Sequence, residues 1–251
     1  MVREREIKRK KKGLIMDCET KRKSAAKEIL VGISAGRSRW EVWTDWIMMA
    51  ALSYNMHTWG VIDQALAEGR RKDFERLIEK YTPDEIRELD RAFEAYIADI
   101  DDEPFQDYLG DLYMRMEFGQ KDIGQFFTPY HISQLTASMG EEAMYDDVQR
   151  LGWCKVYDPA CGGGAMLIAA AEKLQKRGYN PQVCGWFEGQ DLSRGTALMC
   201  YVQLCSLGLP GRVCIGDTLR HPATAAGVNE CEEWLTPFAL EGIWQIRTSG
   251  K

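Results

Sequence analysis

Between residues 153 and 217 the chain repeats one grammar three times: a short apolar run, an aspartate at its end, a turn rich in small residues, then a helix former. Trp153–Tyr157 runs into Asp158, Val183–Phe187 leads toward Asp191, and Arg212–Ile215 leads into Gly216 and Asp217. Ala165–Leu174 and Thr196–Leu207 supply the helices between them, the second stopped by Gly208 and Pro210. Strand–helix units in series predict a parallel sheet with crossover helices, and hence an α/β fold. All three aspartates then fall on the carboxyl edge of the sheet, where open parallel sheets bind ligands. Only about thirty residues follow Leu219, so the sheet is expected to be incomplete, with Leu240–Ile246 as a candidate fourth strand.

Upstream the pattern is helical. Trp40, Trp43, Trp46, Ile47, Ala50 and Ala51 recur at helical spacing, a stripe that reads as core packing rather than base stacking. Phe74, Leu77, Ile78 and Tyr81 mark a second helix over Asp73–Tyr81. Thr82-Pro83-Asp84-Glu85 is a helix start: an N-cap hydroxyl, a proline at the first helical position, and a glutamate placed for a capping box. Further helices are expected over Phe105–Met116 and from Ile132 to about Met144. The expected organisation is therefore a basic flexible tail over residues 1–28, a helical region over 29–145, and an α/β domain over 146–251.

Charge divides along the same lines. Residues 1–28 hold eleven of the 32 basic residues and five of the 38 acidic ones, leaving 21 basic against 33 acidic in the remainder. Lys8-Arg9-Lys10-Lys11-Lys12 suits phosphate neutralisation, or equally a solvated tail. The acidic body opposes tight autonomous binding to a polyanion. No apolar run reaches the roughly 18 residues of a membrane span, and no signal-peptide pattern follows the basic start. The cytoplasm is the expected compartment. The eight cysteines stand at least five positions apart and the three histidines are scattered, which argues for buried thiols of a reduced compartment and against a metal site.

The chemistry is concentrated in Asp158-Pro159-Ala160-Cys161-Gly162-Gly163-Gly164. Glycines directly after a strand let backbone approach a ligand closely, and the following helix offers free amides. The spelling differs from the Gly-x-Gly-x-x-Gly of dinucleotide binders. Asp158 suits an ammonium group, Asp191 the hydroxyls of a ribose, Asp217 an adenine amino group, and Leu192 the purine face. Each of these aspartates also reads as a turn former or helix cap.

Asp107–Met114, Gly124-Gln125-Phe126-Phe127-Thr128-Pro129, Asp158–Gly164, Gly189–Ser193 and Gly216–Leu219 occur in that order. Together they resemble the DNA adenine-N6 methyltransferases, in particular the modification subunits of type I restriction systems. The resemblance implies a Rossmann-like core that binds S-adenosylmethionine (AdoMet). It also implies a set of contacts: Gln125, Phe126, Thr128 and Pro129 folding over the cofactor; Asp158, Ala160, Gly162 and Gly164 at its methionine end; Asp191 and Leu192 at the ribose and purine; and Asp217 at the adenine.

One landmark of that family is missing. The Asn/Asp-Pro-Pro-Tyr/Phe tetrapeptide that holds a flipped adenine is not spelled downstream, where Thr236-Pro237-Phe238 offers neither the amide nor the second proline. The resemblance thus leaves two functions open. One is methyl transfer to adenine N6 in DNA, reached alone or through a partner subunit. The other is a noncatalytic AdoMet-binding accessory or anti-restriction protein that engages a restriction-modification complex. An unfinished sheet edge predicts pairing, with a second copy or with another subunit.

Overall fold

The computed structural model describes residues 25–116, 118, 127–223, 231–240 and 242–248. The Lys8–Lys12 run lies outside them. Residues 25–33 form helix α1, with Ala26 and Leu30 buried, so the last residues counted with the basic stretch are helical.

Helix α2 (Arg39–Asn55) starts at Ser38, whose hydroxyl accepts from the Glu41 amide at 3.0 Å. Trp43 and Trp46 are buried as expected, whereas Trp40 stays 42% exposed. Trp46 Nε1 donates to the Leu89 carbonyl at 3.2 Å, tying α2 to α4 (Pro83–Asp102). The intervening α3 (Gln64–Glu79) begins nine residues before the expected Asp73. Its first half bunches its apolar residues at Ala65–Ala67 and follows them with Glu68, Gly69, Arg70 and Arg71, so no helical apolar period shows there; the start is set by Asp63, which accepts from the amides of Ala65 and Leu66. The capping box at the start of α4 forms as read, with Thr82 and Glu85 each answering the other's amide. Helices α5 (Tyr108–Arg115) and α6 (Tyr130–Leu151) complete the region, α6 ending in left-handed Gly152.

The sheet has the order β1-β2-β3-β4. Strands β1 (Cys154–Asp158), β2 (Gly185–Asp191) and β3 (Gly211–Ile215) run parallel, in register from Cys154 opposite Gly185 and Phe187 opposite Gly211. Helix α7 (Ala165–Lys176) joins β1 toward the one-turn α8 (Pro181–Cys184), and α9 (Arg194–Ser206) joins β2 to β3. This is the incomplete Rossmann-like arrangement that the sequence predicts. Every residue of α9 from Thr196 to Cys205 is buried, because α2 and α5 pack on its outer side. Side chains such as Phe187 and Leu167, wholly buried beneath, each contribute roughly 1.5–3 kcal/mol by leaving water.

The expected fourth strand at Leu240–Ile246 is wrong. Pro237–Leu240 is a 3₁₀ turn and Ile243–Thr248 is helix α10, while the fourth strand is β4 (Glu232–Leu235), antiparallel to β3. Two glutamates disguise this strand in the sequence. Arg194 pairs with Glu232 and Arg212 with Glu233, each at 2.9 Å, so the fold supplies the neutralising charges. Trp234 lies fully buried under the Arg70 guanidinium, 4.0 Å from its ring centre. On the opposite face of the sheet Trp244 of α10 packs on Trp186, ring centres 5.5 Å apart, and edge-on against Trp153.

At the other edge, β1 pairs with β2 alone among the described residues. A groove of about 460 Å³ runs along its open side, walled by Thr136, Gly140 and Met144 of α6 and by Met166 of α7. No helix among the described residues is long and apolar enough to cross a membrane.

Candidate functional site

The loop between β1 and α7 is fixed on every side. Gly162 and Gly164 hold positive φ angles of 51° and 96°, a region other residues rarely enter. The Cys161 amide donates to the Gln190 carbonyl at 2.9 Å, the Gly162 amide to Asp191 Oδ2 at 2.9 Å, and the Gly164 amide back to the Cys161 carbonyl at 2.7 Å. A side chain at Gly164 would meet Cys200 Sγ at 2.9 Å and its backbone at 3.3 Å. Gly164 is therefore the point where α7 and α9 touch, and it does not line the cavity above the loop.

That cavity measures about 260 Å³. Its walls come from Phe127 and Thr128 on one side and from Asp158, Ala160, Gly162 and Asp191 on the other. Thr128 is held through its neighbours: Pro129 caps α6, Tyr130 donates to Glu172 Oε2 at 3.2 Å, and Gln134 donates to the same oxygen at 2.8 Å. Glu172 is buried on α7, so these bonds tie α6 to the glycine loop's own helix.

The three strand-end aspartates differ. Asp158 Oδ1 accepts from the Ala160 amide at 3.0 Å. Burial pushes its carboxyl above the ordinary value, the charge of Asp191 adds to this, and the Ala160 bond offsets part of it. No Lys or Arg pairs with it among the described residues. Asp191 accepts from Ser193 N and Thr196 Oγ1 through Oδ1, at 2.8 and 3.1 Å, and from Gly162 through Oδ2. Asp217 lies outside the cavity lining and accepts from the Leu219 amide at 3.0 Å.

Residues 105–233 match the family described as N-6 DNA methylase, about half of the chain. The chain belongs to the N-6 DNA methylase family. Over 110 residues it is 31% identical to the methylase subunit of the type I restriction enzyme MjaVIII from Methanocaldococcus jannaschii, a match covering 43% of this chain. The chain spans 17% of that relative's length. A Listeria monocytogenes protein assigned to the class I S-adenosylmethionine-dependent methyltransferases aligns in structure over 70% of this chain and 54% of its own, at 18% identity and a TM-score of 0.38.

In this member of the family the structure gathers Thr128, Asp158, Ala160, Gly162 and Asp191 around one cavity. It leaves out Pro129, Gly164, Leu192 and Asp217; Leu192 is 73% exposed. Gln125 and Phe126 lie outside the described residues. Phe127 was not singled out from the sequence, yet its ring packs edge-on to Tyr113 at 5.0 Å and covers the loop at Gly162 and Gly163. Thr196 was also missed, hidden in a helix that reads as pure core. Thr236-Pro237-Phe238 belongs elsewhere. Thr236 exchanges hydrogen bonds with Gly211 at the amino end of β3, the opposite end from the cavity, and is wholly buried. Six of the seven cysteines among the described residues are buried, no disulfide joins any of them, and no cluster with metal-binding composition occurs among those residues.

Proposed function

We propose that this chain binds AdoMet over the Asp158–Gly164 loop and acts as the donor-holding part of an adenine-N6 DNA methylation assembly, without methylating DNA by itself. The observation that carries the reading is Asp158: a half-buried carboxylate, raised by burial, with no cationic partner among the described residues, at the mouth of a glycine-lined cavity. Desolvating a carboxylate is unfavourable unless a counter-charge arrives. The ammonium group of AdoMet supplies that charge, and the bare backbone at Gly162 and Gly163 leaves room for its methionine chain.

The other residues take roles that follow from their placement. Asp191 fixes Gly162 and keeps one acceptor site on Oδ2 for a ribose hydroxyl. Phe127 shields the loop from water, and Thr128 presents a hydroxyl on the same side. Leu192 and Asp217 stand beyond the lined volume, where the adenine end would extend. When bound, AdoMet supplies an electrophilic methyl group. The chain contributes its orientation, and the grip on a flipped adenine comes from a partner, since the Thr236-Pro237-Phe238 segment faces away from this end of the sheet.

Calorimetric titration tests the binding claim. AdoMet is expected to bind, and 5′-methylthioadenosine, which lacks the amino-acid end, to bind at least about tenfold more weakly, a difference of roughly 1.4 kcal/mol. Asp158→Asn should remove that preference. Absence of heat at millimolar AdoMet, from protein shown to be folded, refutes the reading. Transfer of tritiated methyl to unmethylated DNA tests the second half: sustained turnover by the isolated chain refutes the need for a partner.

A further inference from the structure

Helix α9 buries ten consecutive residues, and among these Gln203 carries the only side-chain amide, 1% exposed. Its Nε2 donates to Asp107 Oδ1 at 2.7 Å and to the Gly163 carbonyl at 2.7 Å. Its Oε1 accepts from the Leu109 amide at 3.1 Å. The orientation of this side chain is forced. Turning the amide over would set its oxygen against a carboxylate and a carbonyl, and its NH₂ against an N–H.

Asp107 completes the set. It is buried, caps α5 by accepting from the Gly110 amide at 3.0 Å, and shares Oδ1 between that amide and Gln203. A side chain on Gly163 would lie 3.3 Å from the Phe127 ring and 3.5 Å from Asp107 Oδ1. The middle glycine of the loop is thus gripped between a carboxylate below and an aromatic ring above, and its carbonyl is drawn into the core. With that oxygen turned inward, the next amide, of Gly164, closes the turn onto Cys161.

We propose that Asp107 and Gln203 are positioning residues: Gln203 holds the Gly163 carbonyl inward, Asp107 fixes Gln203, and the pair sets which backbone groups of the loop face the cavity. This assigns work to the Asp107-Tyr108-Leu109-Gly110 segment, which otherwise only caps a helix. The inference rests on the reading of the cavity as the AdoMet site.

An exchange of the pair separates positioning from mere structural support. In Asp107→Asn/Gln203→Glu, the new amide, turned so that its NH₂ takes the place of Oδ1, can donate to the new carboxylate, the Leu109 amide keeps its acceptor, and the buried charge is conserved. The Gly163 carbonyl loses its donor and the Gly110 amide its cap, the second loss being confined to the start of α5. Two readouts are taken on folded protein: AdoMet affinity by calorimetry, and hydrogen exchange of the amides of residues 161–164 without ligand. The double variant is expected to bind AdoMet at least about tenfold more weakly, roughly 1.4 kcal/mol, and to exchange those loop amides faster while β2 stays protected. The conservative Asp107→Asn alone keeps Gln203 in place and should bind within about threefold of the wild type. Unchanged loop exchange in the double variant overturns the proposal, as does wild-type affinity. If wild-type protein binds no AdoMet but loop exchange still rises in the double variant, the loop-holding role stands and the cofactor reading falls.

Discussion

Strands β2 and β3 lie side by side, run the same way, and carry an aspartate at or just past the same end, yet the two carboxylates live differently. Asp191 collects donors from three separate places: the glycine loop after β1, the turn that follows it, and the first turn of α9. Asp217 answers Leu219 in its own turn and pairs with the exposed Arg220. The first is a joint between elements and the second a local turn former. Position at a strand end is thus necessary for membership of the site but not sufficient; what decides is whether neighbours distant in sequence supply the donors.

Substitutions can break or sharpen that contrast. Asp191→Ala should have the largest effect, removing three hydrogen bonds to a charged group: about 3 kcal/mol of stability by chemical denaturation, and an AdoMet affinity lowered about 100-fold, or roughly 2.7 kcal/mol. Gly164→Ala attacks the same loop from beneath, through a positive φ and a contact with Cys200, and should cost about 2 kcal/mol. Recovery of most of that loss in Gly164→Ala/Cys200→Ala would locate the strain at the sulfur rather than the backbone.

Asp158→Asn carries a sign. A carboxyl raised in the folded state binds its proton more tightly there than in the unfolded chain, so stability falls as pH rises through the window between the ordinary and the raised value, and the penalty persists above it. The asparagine variant should therefore melt higher than the wild type at about pH 7 and equally at about pH 3, while binding AdoMet about tenfold more weakly. Smallest of all, Asp217→Ala should change stability by less than about 1 kcal/mol and AdoMet affinity by less than about tenfold. Equal losses for Asp191→Ala and Asp217→Ala would dissolve the distinction between joint and turn.

The sequence displayed those parts of the fold that are written locally. The strand–glycine–helix turns, the capping box at Thr82 and the tryptophan stripe of α2 each contain their own explanation within a few residues. What it hid depends on distant partners. The glutamates of β4 look unfit for a strand until Arg194 and Arg212 arrive beside them. Phe127 resembles any aromatic residue until Tyr113 and the glycine loop define its place. Gln203 hides in the same way: its amide stands in a helix that reads as core, and its partners Asp107 and Gly163 are far off in sequence.

Gln203 stands 96 residues after Asp107 and 40 after Gly163. During synthesis at roughly 5–20 residues per second, α5 waits several seconds for the helix that completes its buried cap. The helical half therefore leaves the ribosome with a carboxylate it cannot yet enclose, and the glycine loop with a carbonyl it cannot yet turn inward. The floor of the cavity therefore cannot close before α9 has been made, and the same amide that closes it also fills the core between α5 and α9.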